Sequence, residues 1–96
     1  MKHFLVELKY LVDISKIDEI LKEHREFLQT GYDKGLLLCS GPKNPREGGV
    51  IIARDESLES LQSFFKQDPY SIENYAEYKF TEFTPVKYQG ILKDWV

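Results

Sequence analysis

Between residues 3 and 12, HFLVELKYLV, apolar side chains fall at every second position. Phe4, Val6, Leu8 and Tyr10 share one face, and Leu5, Glu7, Lys9 and Leu11 make a mixed opposite face. This alternation predicts a strand with one buried side. The period then changes. Ile17, Ile20, Leu21, His24, Phe27, Leu28 and Gly31 recur at helical spacing, which predicts a helix over 14–34. Asp13 or Ser15 suits its N-cap, and Asp18 and Glu19 suit the positive end of its dipole. Gly35 suits the residue that ends it.

Two unbroken apolar runs follow, LLLCS at 36–40 and VIIAR at 50–54. A strand with one wet face alternates, whereas one covered on both faces does not. Gly41-Pro42 closes the first run, and PKNPREGG reads as the turn between them. DESLESLQSFFKQ predicts a second helix, capped by Asp55 or Ser57, with Leu58, Leu61, Phe64 and Phe65 as its buried stripe. It ends before Asp68-Pro69, because a residue preceding proline is pushed out of helical geometry. AEYKFTEFTPV, 76–86, predicts the last strand. The tail KYQGILKDWV carries Ile91, Leu92 and Trp95 and is expected to pack on the body.

The order βαββαβ, joined by short right-handed connections, predicts one α+β domain over residues 1–96. Its architecture is ferredoxin-like, a four-stranded antiparallel sheet with both helices on one face. The opposite face is left uncovered, yet Leu36-Leu37-Leu38 and Val50-Ile51-Ile52 make it apolar as well. Such a patch marks an interaction surface, so a two-fold homodimer packed sheet against sheet is expected.

Composition narrows the partners. The chain has 96 residues, 42% of them hydrophobic, enough for a packed core. Its net charge is −3, and the 13 basic residues are scattered rather than striped, which argues against a nucleic-acid partner. Cys39 is the only cysteine, so no internal disulfide forms, as suits a reducing compartment. The opening segment is broken by Glu7 and Lys9 and is no secretory signal. No stretch approaches the roughly 20 apolar residues of a membrane span. A cytoplasmic protein without a membrane partner is expected.

Few residues offer chemistry. His24 lies within an apolar helical stripe, where a polar ring needs a partner. It is either a structural histidine bonded to a carbonyl or a reactive one. Asp68, before Pro69, suits the N-cap of a short turn through Tyr70-Ser71-Ile72; alternatively it is half of a chemical pair. Ser40-Gly41-Pro42 is either a plain strand stop or a pocket wall presenting the Ser40 hydroxyl. Cys39, inside an apolar run, reads as inert core. Gly48-Gly49 is no phosphate loop, and His3, His24 and Cys39 lack metal-ligand spacing. Tyr70, Tyr75, Tyr78, Phe80 and Phe83 read as core or dimer surface.

Taken together, HREFLQTGYDKGLLLCSGP followed by DPY resembles the YciI-like family, over most of the chain. The resemblance rests on His24, on Gly41-Pro42 and on Asp68-Pro69-Tyr70. It implies a dimeric α+β barrel with His24 and Asp68 as a catalytic dyad, and Ser40, Gly41 and Tyr70 beside a small-molecule substrate. The short loop KNPREGG and the tail KYQGILKDWV depart from the family pattern, so the substrate does not carry over. In such a dyad the aspartate orients the imidazole, whose other nitrogen moves a proton. No nucleophile, metal or cofactor motif accompanies it. The implied reactions are isomerisation, elimination or ring hydrolysis. The alternative is a non-catalytic small-molecule-binding or regulatory dimer, and a third reading leaves His24 as core and Asp68 as a cap.

Overall fold

A computed structural model describes all 96 residues. In chain order the elements are β1 (Lys2–Tyr10), α1 (Ile14–Glu19), α2 (Leu21–Asp33), β2 (Leu37–Pro42), β3 (Gly48–Asp55), α3 (Leu58–Phe65), α4 (Pro69–Ile72) and β4 (Ala76–Phe83). A single 3-10 turn, Gly90–Leu92, follows. The strands form one sheet in the order β2-β3-β1-β4, with every neighbouring pair antiparallel. This is the α+β, ferredoxin-like arrangement that the hydrophobic pattern predicts. The alternation in β1 holds: Phe4, Val6 and Leu8 are buried. They join Ile51 and Ala53 of β3 and Ile17, Leu28, Leu61, Phe64 and Phe65 of the helices in one core. No helix is long and apolar enough to cross a membrane.

The helix predicted over 14–34 is broken in two. Ile20 adopts φ −120°, ψ 18° between α1 and α2. The buried stripe continues through the break, since Ile17, His24, Leu28 and Gly31 are all buried. Because the period persists and no Gly or Pro marks Ile20, the pattern alone reads as continuous. Asp13 caps α1, accepting from the Ser15 N–H. At the far end Gly35 adopts φ +74°, a conformation glycine enters without a Cβ penalty. Its N–H donates to the Tyr32 carbonyl, and the Leu36 N–H donates to that of Gly31. These two bonds form a Schellman motif that satisfies the last carbonyls of α2. Gly31 also lets α2 come close to its neighbours, since a Cβ there would lie 2.7 Å from the Phe64 ring.

The second strand does not stop at Gly41-Pro42 but runs through both, pairing Gly41 with Val50 and Pro42 with Gly49. The reason is positional. Lys43 N–H donates to the Gly48 carbonyl at 2.8 Å, so at Pro42 a backbone N–H would point off the sheet. β2 is an edge strand, where proline costs no ladder bond. The register slips between Leu37 and Cys39, and Cys39 is exposed rather than in the core. It pairs with Ile52, on the helix-free face. The second helix is capped by Ser57, which accepts from Ser60 N–H, while Asp55 bonds the Glu56 N–H.

The tail packs through Trp95, whereas Ile91 is left exposed. The Trp95 carbonyl accepts from Arg54 Nη1 at 2.7 Å, and the Trp95 ring lies 4.9 Å from the Arg54 guanidinium. The same ring meets His3 edge-on at 5.5 Å. His3 and Arg54 are cross-strand partners, so the tail folds over one end of the helix-free face.

Candidate active site

His24 sits in the first turns of α2, on the stripe it shares with Leu28, and is buried. A buried imidazole is stable only with a partner. That partner comes from the bend between α3 and α4. Asp68 has extended backbone, φ −63° and ψ 130°, as the proline after it requires. Its side chain caps α4 by accepting the Tyr70 N–H at 3.1 Å. The same carboxylate meets His24 Nδ1 at 2.8 Å from Oδ1 and 3.0 Å from Oδ2. One side chain thus makes both the cap and a contact with His24.

Asp68 is completely buried, and an unpaired carboxylate would be far too costly there. A third donor completes its shell: the Tyr78 hydroxyl donates to Oδ2 at 2.6 Å. Burial, reinforced by the Asp68 charge, pushes the Tyr78 phenol well above its ordinary range, which keeps it a donor. With Tyr70 N–H and Tyr78 O–H already donating, the network assigns the Nδ1 proton to His24. Nε2 is then the acceptor, and it makes no hydrogen bond within the protein.

The His24 ring is also held from behind. Tyr70 stacks on it with centroids 3.9 Å apart and planes inclined by 13°, and meets Tyr10 edge-on at 6.0 Å. Tyr70 is only 1% exposed. It was expected beside a ligand, but it lies under the imidazole and does not line the cavity, because helix α4 turns it inward. Its hydroxyl is buried without a partner, and burial raises its phenol as well.

In front of His24 is a cavity of about 200 Å³. Ser40 and Gly41 line it together with His24. Leu8, Leu21, Leu28 and Ile51 supply apolar wall. Three polar residues not singled out in the sequence also line it: Tyr10, Arg25 and Arg46. The Ser40 hydroxyl is tied to the Tyr32 hydroxyl at 2.6 Å. Arg46 pairs with Asp18 at 2.6 Å, which holds its guanidinium charge more firmly. No group of three or more His, Cys, Asp or Glu side chains comes together to hold a metal ion.

Tyr10 could have been found, since it continues the inward face of β1 at its open end. Arg25 could have been found too, one turn beyond Leu21 and one residue from His24. Tyr78 carried no such signal. Its role depends on the register that sets it opposite Leu8 and on the turn that brings Asp68 beneath it.

The fold and this cluster define a small α+β protein with a buried histidine–carboxylate pair facing a cavity. The chain belongs to the YCII-related domain family, which matches residues 1–84. Among solved structures it is similar to a 5-chloro-2-hydroxyhydroquinone dehydrochlorinase (TftG) from Burkholderia phenoliruptrix AC1100, solved in complex with 2,5-dihydroxybenzoquinone. The TM-score is 0.74 at 17% sequence identity, over 85% of this chain and 93% of that one. At that identity the likeness concerns the fold. No curated protein matches the chain.

Proposed function

We propose that the protein is a small enzyme that moves protons on a bound organic molecule, with His24 as general acid–base and Asp68 as its orienter. The observation that carries this reading is the 2.8 Å contact between His24 Nδ1 and Asp68 in a histidine that also lines the cavity. Asp68 fixes the tautomer and stabilises the imidazolium formed when Nε2 accepts a proton. The proton is then returned to another atom of the substrate, which is an isomerisation, or the electron pair it leaves expels an anion, which is an elimination. A positioned acid–base of this kind contributes roughly 10²–10⁴-fold. The similar structure is that of a dehydrochlorinase, which favours elimination as the first reaction to test.

The helix-free face of the sheet supports a further expectation. Leu5, Val50 and Ile52 lie there only half-buried, so a homodimer formed across this face would cover them. Light scattering at micromolar concentration tests it, and a monomer counts against it.

The activity is tested by assaying purified protein against chlorinated hydroxyhydroquinones, cyclic hydroxy-ketones and lactones. Turnover by the wild type that falls at least a hundredfold in His24→Gln is the expected result. Turnover that survives the substitution contradicts histidine catalysis. Saturable binding without turnover of any compound favours a ligand-binding protein instead.

A further inference from the structure

The charges around the cavity differ in sign from those of the chain as a whole. The protein carries 16 acidic and 13 basic residues. Yet the side chains lining the cavity include Arg25 and Arg46 and no Asp or Glu. The two arginines are not equivalent. Arg46 is tethered to Asp18, which fixes its position and offsets part of its charge. Arg25 is absent from all three ion pairs of the protein, which join His24 to Asp68, Lys43 to Glu7 and Arg46 to Asp18. It makes no side-chain hydrogen bond either. Leu21, Arg25 and Leu28 follow one face of α2, so this unpaired guanidinium stands at the rim one residue from His24.

From this arrangement we infer that the cavity takes a small organic anion about one ring in size, its charged oxygen held at the Arg25 side. The inference rests on the cavity being the binding site of the proposed function, and it adds the class of ligand. Three observations set the class. A planar guanidinium with five donors and no carboxylate partner is suited to a carboxylate or an ionised hydroxyl. Leu8, Leu21, Leu28 and Ile51 give an organic body an apolar bed. The volume, about 200 Å³, exceeds the roughly 150 Å³ that accommodates benzene, which leaves room for one substituted ring. A cation at the rim also suits the chemistry, because a proton removed by Nε2 leaves negative charge on the substrate, where a guanidinium lowers its energy.

The test uses the full chain and three ring-sized probes: benzoate, 4-nitrophenolate in its ionised form, and neutral benzamide. Binding is followed by NMR through the backbone amides of Ser40 and Gly41. At least one anion is expected to bind about tenfold more tightly than benzamide, as a hydrogen bond to a charged group provides; the tighter anion shows whether a carboxylate or a phenolate is preferred. Arg25→Gln is expected to abolish the preference. Lys22→Gln, an exposed change on the same helix but outside the cavity lining, is expected to leave it intact. His24→Gln is expected to keep the preference while losing turnover, so failure of the proposed catalysis and failure of this inference give different results. Equal binding of benzamide and both anions overturns the inference, as does a preference that persists in Arg25→Gln or disappears in His24→Gln. So does the absence of any shift at Ser40 and Gly41 with all three probes.

Discussion

His3 and His24 are each 8% exposed, but their surroundings share little else. His24 has a carboxylate on Nδ1, an aromatic ring stacked beneath it and a cavity in front. His3 lies on the other face of the sheet against the edge of Trp95. Its Nε2 is buried without a partner, and no carboxylate forms an ion pair with it. Burial is the same in the two places, so burial alone does not make a histidine a functional candidate. What separates them is how completely the polar atoms around the ring are satisfied. At His24 one side chain, Asp68, gathers three donors from α2, α4 and β4. At His3 the tail simply covers a polar ring.

The largest difference between the two regions is expected in activity. On a substrate that the wild type turns over, His24→Gln should lower kcat/KM by roughly 10²–10⁴-fold. His3→Gln should leave it unchanged within experimental error. Equal losses would erase the distinction.

Stability gives the next contrast. Asp68→Ala strands the Tyr78 hydroxyl, the Tyr70 N–H and the His24 ring at once, and should cost about 3–5 kcal/mol in a denaturant titration. Tyr78→Phe removes one donor from a carboxylate that keeps two others, and should cost about 1–2 kcal/mol. Removing a polar ring that has an orphaned nitrogen is different: His3→Phe should change stability by less than about 1 kcal/mol, in either direction. It belongs at the small end of the series.

Alkaline pH probes the same contrast from the tyrosines. Tyr78 and Tyr70 both have phenols held above the ordinary range, chiefly by burial. In the unfolded chain they ionise near pH 10. A folded pKa above the unfolded one means the stabilisation is fully present below about pH 10 and declines as pH rises beyond it. Denaturation midpoints should therefore fall above that pH, and Tyr78→Phe should flatten the decline. Phenolate absorbance should show these two rings ionising only as the chain unfolds.

Much of this organisation is legible along the chain, for physical reasons. The alternation at Phe4, Val6 and Leu8 sets the inward face of β1, and the helical stripe through Ile17, His24 and Leu28 follows burial even across the break at Ile20. Ser40 and Gly41, near the end of a strand, read equally as a plain stop or a pocket wall, so strand position alone does not place them at the cavity. What sequence periodicity does not carry is the way separate elements meet. The proline rule puts Asp68 at a cap, but nothing local says that its carboxylate also reaches His24 and Tyr78. Tyr70, adjacent to Pro69, reads as a neighbour of a ligand, whereas the turn of α4 places it under the imidazole. Pro42 reads as a stop because its tolerance depends on which way an edge strand points its N–H groups. Cys39 reads as core because one slipped residue in the register moves a side chain to the other face.

The central claim is that His24 and Asp68 act as one proton-moving unit. The most direct measurement is a double-mutant cycle on kcat/KM, comparing the wild type, His24→Gln, Asp68→Asn and the double variant on one substrate. The expected result is a large loss in each single variant and no further loss in the double variant beyond that of His24→Gln. Losses that add independently, or turnover that survives His24→Gln, would contradict it.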